Sequence, residues 1–392
     1  MQLISTLSAV LAVTGAAVAG PTGQKGPAFR WHGPAPHPGH GPSPPGRPLP
    51  PVARPPPPPP GAPKDQGLYT AMRARGREFI GTAVTFRNDT AEAAIYGNKA
   101  DFNSITPENA MKWEVTEPQR GNFTFDDADR YVDYATANGI EIHCHNLVWH
   151  SQLPPWVTAG KFDNATLIGI MHDHIKGLAG RYAGRCTRWD VVNEALDEDG
   201  TYRKSVWYNT IGEAFLPMAF KFAREVDPKA QLYYNDYNLE YNEAKTTGAQ
   251  RIVKLIQSYG VEIDGVGFQA HVASETTPTS GGPAPNQTVL EAAFNQMTSQ
   301  NVNVIYTEID VRMNTPATPA KLAVQAETYR SLAAACLSVK RCVGMTLWGV
   351  SDKYSWIPGT FPGEGAANVW NETMQKKPAY DGFLKGIQTG GR

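Results

Sequence analysis

The stretch DDADRYVDYATANGIEIHCHNLVW, residues 126–149, contains one complete structural unit. Asp126–Asn138 reads as an amphipathic helix, and Gly139 ends it as a C-cap should, because glycine takes left-handed backbone without a steric penalty. Ile140–Val148 then reads as a strand, with His145 and Trp149 at its end. The same alternation runs from residue 68 onward. Further strand candidates are Phe79–Val84, Phe102–Thr106, Trp189–Asn193, Gln231–Asn235, Gly265–Ala270, Val302–Thr307 and Val343–Trp348. Helical patterns separate them, among them Asn164–Leu178 and Pro319–Val339. Eight strands alternating with helices over about 320 residues predict an α/β chain folded as a single (β/α)8 barrel, the TIM-barrel architecture. A doubly wound open sheet is the alternative. No glycine-rich phosphate loop follows any strand, which counts against the nucleotide-binding forms of that fold.

Barrel enzymes place their working residues at the C-terminal ends of the strands. Here Glu108 and Asn109 follow the second strand, His145 and Trp149 the third, Asn193 and Glu194 the fourth, and Asn235 and Asp236 the fifth. Gln269 and His271 follow the sixth, Glu308 and Asp310 the seventh, and Trp348 the eighth. Exposed strand ends carry polar residues in any case, but seven of eight ends marked this way, with carboxylates and tryptophans mixed among them, exceed what solvation requires.

The chemistry that fits this set is glycosidic cleavage. Its retaining form needs two carboxyl groups about 5–5.5 Å apart, one attacking the anomeric carbon and one protonating the leaving oxygen. Glu194 and Glu308, on the fourth and seventh strands, face each other across a barrel mouth. Asn193 is placed to bind a sugar 2-hydroxyl. Asp310 shares a strand face with Glu308, and His271 can lie between them, orienting Glu308 and keeping it ionised. Trp149, Trp348 and Trp356 are candidate platforms for sugar faces. Trp189, before the apolar pair Val191–Val192, belongs to the core or barrel wall.

With these residues laid out, the chain from about Leu68 to Ile387 resembles the family 10 glycoside hydrolases, the endo-1,4-β-xylanases, of fungal secreted type. The segments that carry the resemblance are Phe102–Trp113 (FNSITPENAMKW), His145–His150 (HNLVWH), Trp189–Ala195 (WDVVNEA), Thr307–Asp310 (TEID), and Trp348–Asp352 (WGVSD) with Trp356. Ile309, where leucine is commoner, and an altered stretch around Val369–Thr373 depart from the pattern without touching a catalytic position. The resemblance implies endo-acting hydrolysis of β-1,4-xylosidic bonds in xylan, with Glu194 as acid/base and Glu308 as nucleophile. It implies sugar contacts from Glu108, Asn109, Lys112, His145, Trp149, Asn193, Gln269, His271, Trp348 and Trp356, and leaving-group contacts from Tyr237 and Asn238. A β-1,4-glucanase on the same scaffold is the alternative.

Outside the barrel, residues 1–19 are small and apolar and end in Ala17-Val18-Ala19, the pattern of a cleavable signal peptide. Residues 20–63 are expected to form an extended, disordered tail: 18 of the 32 prolines fall there and no acidic residue does. The catalytic domain is then 64–392. It has 32 Lys and Arg against 37 Asp and Glu, a net charge of −5 that argues against a nucleic-acid partner. No apolar run beyond the leader approaches the roughly 20 residues of a membrane span. The expected product is a secreted, extracellular monomer without metal or cofactor. Sequons at Asn88, Asn122, Asn164, Asn286 and Asn371 lead us to expect some glycosylation.

Cys336 and Cys342 are expected to form a disulfide at a helix–strand turn, and Cys144 and Cys186 to be buried thiols. His143 and His145, and His172 and His174, stand at i, i+2. The first pair shares a strand face with no Asp or Lys at the matching strand ends. The second lies in a helix, where that spacing points apart, so metal catalysis is disfavoured. A non-catalytic sugar-binding barrel is disfavoured because both glutamates are present.

Overall fold

The computed structural model describes residues 67–391. The expected leader (1–19) and proline-rich tail (20–63) lie outside the described residues.

Among the described residues there are ten strands: β1 Phe79–Val84, β2 Ser104–Pro107, β3 Glu141–Val148, β4 Arg188–Asn193, β5 Gln231–Asp236, β6 Gly265–Phe268, β7 His271–Ala273, β8 Asn303–Asn314, β9 Cys342–Leu347 and β10 Glu364–Gly365. β1 to β6, β8 and β9 pair in parallel around a closed ring, with β9 returning to β1. This is the expected (β/α)8 barrel, and the eight strand candidates fall on these eight strands. Two small strands were not foreseen. After Phe268 the chain breaks at Ala270, whose φ of 59° cannot continue a strand, and it resumes as β7 beside β8. β8 accordingly runs past its expected end to Asn314, where β10 pairs antiparallel with it.

Helix signals in the sequence correspond to real caps. The helix Asp126–Asn138 has three aspartates in its first turn, favourable at the positive end of the helix dipole, and Gly139 closes it at φ 61°. It buries Ala128, Tyr131, Val132 and Ala135 against the barrel. The helix Pro319–Ser338 starts on Thr318, which caps Lys321 N. The helix Pro378–Thr389 packs tightly on it through Gly382 and Gly386, where an added Cβ would strike backbone carbonyls of Ala326 and Arg330.

Inside the barrel, Phe79, Tyr233 and Ile305 form a packed layer. A Cβ at Gly265 or Gly344 would overlap the Tyr233 or Phe79 ring, so glycine makes room for each aromatic. The buried Arg188 guanidinium lies 3.8 Å over the Phe79 ring and bonds Glu141 at 2.7 Å. Trp189, fully buried, belongs to the main hydrophobic core, as expected.

Two expectations are corrected. Cys144 and Cys186 are not thiols: they form a disulfide, Cα–Cα 5.9 Å. His143 and His145 both turn to Asp190, so Cys144 between them points to the opposite side of β3, where the chain entering β4 delivers Cys186. Cys336 and Cys342 are bonded as expected. The second correction is that His143 and His145 do have an acidic partner on the next strand. Asp190 accepts from His143 Nε2 at 3.0 Å and His145 Nδ1 at 2.9 Å, because β3 and β4 place His145 opposite Asp190. Among the described residues no helix is long and apolar enough to cross a membrane.

Candidate active site

The C-terminal ends of the strands open into a cleft of about 650 Å³. It is lined by Glu108, Asn109, Lys112, His145, Trp149, Asn193, Glu194, Tyr237, Asn238, Gln269, His271, Glu308, Trp348 and Trp356, every residue expected to touch substrate. Asp310 does not line it: the side chain is fully buried behind His271.

Glu308 ends up within a web of donors. His271 Nε2 lies 3.1 Å from Glu308 Oε2, and His271 Nδ1 lies 2.9 Å from Asp310 Oδ2. Asn235 Nδ2 donates to Glu308 Oε1 at 2.8 Å and to Asn193 Oδ1 at 2.9 Å, while Thr307 Oγ1 donates to Asn235 Oδ1 at 2.7 Å. Burial pushes the Glu308 carboxyl up, but the His271 hydrogen bond and the nearby imidazoles outweigh it and hold the group below its ordinary value. Burial disfavours charge on His271 too, yet Asp310 and Glu308 on either side raise it to about 10. At neutral pH the imidazole is therefore a cation, donating to one carboxylate from each nitrogen. Trp356 Nε1 also donates to Asp310 Oδ2, at 2.8 Å, which locks the back of the relay.

Glu194 sits differently. Its carboxyl accepts from Trp149 Nε1 at 2.8 Å and from Gln269 Nε2 at 3.0 Å. Its backbone has φ 56°, a left-handed conformation that carries strain in a non-glycine residue and recurs at functional sites. Neighbours hold it there. Arg203 Nε donates to Glu194 O at 2.9 Å, and Ala195 N donates to Tyr234 OH at 3.2 Å. Tyr234 OH donates in turn to Asp236 Oδ2 at 2.5 Å. Burial raises Asp236 to about 6, against the pull of Lys245.

On the β2 side, Lys112 Nζ donates to Asn109 Oδ1 at 2.9 Å and Gln152 Oε1 at 2.7 Å, and lies 5.1 Å from the Trp149 ring centroid. Burial lowers its pKa, against the surrounding carboxylates Glu308, Glu108 and Glu194. Across the cleft, Tyr237 OH accepts from Arg203 and Asn238 donates to Glu198.

The profile of glycosyl hydrolase family 10 matches residues 67–386. The chain belongs to that family. Its relatives include fungal proteins. It is 61% identical over 328 residues to endo-1,4-beta-xylanase 2 of Aureobasidium pullulans, covering 83% of this chain and 91% of the relative. It is 56% identical over 322 residues to endo-1,4-beta-xylanase 1 of Gibberella zeae, covering 82% and 91%. Among solved structures, the family 10 xylanase of Bispora sp. MEY-1 with xylobiose superposes with a TM-score of 0.78 at 37% identity, over 82% of this chain and 99% of that one. Xylanase 10B of Thermotoga petrophila in complex with xylobiose gives 0.77 at 33% identity, over 83% and 98%.

Some members of this family 10 site were not assigned from the sequence. Asn235, a polar strand end in the sequence, bridges Glu308 and Asn193. Asp190 lies inside a segment already singled out. Gln152, Thr279, Arg312 and Phe361 reach the cleft from loops or from the extension of β8, where strand-end reasoning has no purchase.

Proposed function

We propose that this family 10 chain is a secreted endo-1,4-β-xylanase that retains configuration, with Glu308 as nucleophile and Glu194 as acid/base. The observation that carries the division of labour is the His271 bridge: the carboxyl it holds ionised, Glu308, suits attack, and the carboxyl bound by neutral donors, Glu194, suits proton transfer. In the first step a Glu308 oxygen bonds to the anomeric carbon while the glycosidic C–O bond breaks and the Glu194 proton passes to the leaving oxygen. In the second, water attacks the same carbon, Glu194 takes its proton, and the Glu308 ester is released. Asn193 and His145 are placed for hydroxyls of the glycone sugar. Trp149, Trp348 and Trp356 offer ring faces, with Glu108, Asn109, Lys112 and Gln269 around them. Tyr237 and Asn238 serve the leaving-group side.

Xylan is favoured over β-1,4-glucan because the relatives that span the whole domain are named xylanases. Initial rates on soluble xylan, carboxymethyl cellulose and mixed-linkage glucan test this. The extra hydroxymethyl of glucose should lower the rate roughly tenfold to two-hundredfold. Equal rates would overturn the choice of substrate. Secretion through residues 1–19, a monomeric state and glycosylation at some of the sequons complete the proposal. Four sequon asparagines, Asn88, Asn122, Asn164 and Asn286, are exposed, and Asn371 is half-buried. Deleting residues 20–63 should leave kcat on soluble xylan within about twofold, given their composition.

A further inference from the structure

Three consecutive residues, Gln269, Ala270 and His271, connect both catalytic candidates. Gln269 donates to Glu194 and His271 bonds Glu308. A small displacement of this strap would disturb both carboxyls at once. Its middle residue is backbone-strained, with Ala270 at φ 59° and fully buried. Something must hold it.

The holder lies one loop away. After β5 the chain makes a single 3-10 turn, Leu239–Tyr241, bracketed by Asn238 and Asn242, both at φ 58°. Leu239 is fully buried, and its carbonyl accepts from Thr246 Oγ1 at 2.8 Å, so the turn is anchored to the following helix, Ala244–Ser258. The turn directs Glu240 inward, where it is 1% exposed. Glu240 Oε1 accepts from Ala270 N at 2.7 Å. Among the described residues this is the hydrogen bond its carboxyl makes to another residue, and none joins Glu240 to Glu194 or Glu308.

We propose that Glu240 is a positioning residue: by holding the N–H of Ala270 it fixes Gln269 against Glu194 and His271 against Glu308. The proposal rests on the assignment of that pair made above. Stability does not account for the residue. A carboxylate stripped of water loses hydration that one N–H does not return, whereas an uncharged amide at the same place would accept the same Ala270 N–H with no charge to desolvate. Burial accordingly raises Glu240 to about 7, against its own backbone N–H, the Ala270 N–H, His271 and Lys245. The chain thus keeps a destabilising group at the point where the strap must not move.

The test compares Glu240→Leu and Glu240→Gln with the full chain. Glu240→Leu should fold and keep KM within about twofold while kcat falls about tenfold or more, because misplaced catalytic groups cost rate before binding. The acid limb of its pH profile should move up, as His271 loosens its hold on Glu308. Covalent trapping of Glu308 by a 2-fluoro-xylobioside with a dinitrophenolate leaving group should slow in parallel. Glu240→Gln, whose side-chain oxygen still accepts from Ala270, should return kcat to within about threefold. A Glu240→Leu enzyme with unchanged kcat and acid limb, altered only in melting temperature, would overturn the proposal. If Glu240→Leu does not accumulate folded, Glu240→Asp, one methylene shorter, keeps a carboxylate but draws the acceptor back from Ala270 N. There kcat should fall about threefold or more with KM within about twofold, and an unchanged kcat and acid limb would again overturn the role. Glu308→Ala run alongside separates the two ideas: turnover by that variant would sink the assignment of the pair, not the role of Glu240 alone.

Discussion

The two glutamates at the barrel mouth stand in unlike surroundings. Glu308 has a side chain 6% exposed, beside an imidazolium that is itself backed by a second carboxylate. Glu194 has a side chain 14% exposed and accepts hydrogen bonds from an indole and an amide, both neutral, with His150 Nδ1 3.9 Å from Oε2, beyond hydrogen-bond reach. A charged donor stabilises one protonation state strongly, and neutral donors leave a carboxyl freer to exchange a proton. The contrast lies in the neighbours, because both groups are glutamates at the ends of parallel strands of one barrel. It also has a backbone side: Glu308 stays within β8, where the pairing with β9 shifts register between Tyr306 and Ile309, whereas Glu194 has left its strand for φ 56°.

Replacing each glutamate in turn would break this comparison most directly. Glu308→Ala should lose on the order of 10⁴-fold in kcat on every glycoside and form no covalent intermediate. Glu194→Ala should lose a similar factor on xylan yet still release dinitrophenolate from an aryl xylobioside in a burst, since that leaving group needs no proton. Azide should restore turnover to Glu194→Ala and give a β-glycosyl azide, detectable by NMR. Exchanged behaviour between the two variants would exchange the roles. An α-linked first product from the unaltered enzyme would remove the retaining mechanism.

The second effect, smaller, tests the imidazolium. His271→Asn removes the hydrogen bond that offsets the burial of Glu308. Burial then dominates and the Glu308 pKa rises, so the acid limb of kcat/KM should move to higher pH. We expect kcat to fall about a hundredfold, because attack by the carboxylate loses its orienting partner. An acid limb that stays in place would take His271 out of the control of Glu308.

Much of this site was legible in the sequence because strand ends are local. Glu194, Glu308, His271 and Trp149 each close a run of apolar residues, and barrel geometry sends such positions to one face. What was not legible depends on register and on chain that leaves the strands. Asp190 meets His143 and His145 only because β3 and β4 pair with His145 opposite it. Cys186 finds Cys144 for the same reason, across 42 residues. Asn235 acts through a lateral bond to the next carboxyl, and Ala270 breaks a strand that its apolar neighbours would have continued. Arg312 enters from β8 beyond the end expected for that strand, and Phe361 from the chain after β9.

On the Glu194 side, Trp149→Phe keeps the ring and removes the N–H that donates to Glu194 Oε2. The loss should be about tenfold in kcat on xylan, the size of one hydrogen bond. On the dinitrophenyl substrate, whose departure needs no acid, the first step should fall less. A loss of equal size on both substrates would show that Trp149 serves the sugar alone and leave Glu194 with one fewer distinguishing neighbour.

The smallest effect on catalysis is expected from the two disulfides, which also divide between the two sides. Cys144–Cys186 ties β3, which leads to Trp149, to the entry of β4, which leads to Glu194. Cys336–Cys342 pins the start of β9, which pairs with β8 on the Glu308 side. The Cys144 side chain points away from the cleft that its neighbour His145 lines, and the Cys336–Cys342 bond lies at the start of β9, so breaking either should leave kcat at 25 °C within about twofold. Stability should respond unequally. Loop-closure entropy grows with the logarithm of the loop, so the sequence separations of 42 and 6 correspond to about 4 and about 2 kcal/mol. Cys144→Ala with Cys186→Ala should therefore unfold at lower urea than Cys336→Ala with Cys342→Ala, and both below the parent. If the order is reversed, the short loop is holding the helix–strand turn by more than chain entropy. If instead the Cys144 and Cys186 variant loses tenfold in kcat while still folded, the position of Glu194 depends on a brace at the far end of its strand, and the left-handed turn at Glu194 is not set by its local partners alone.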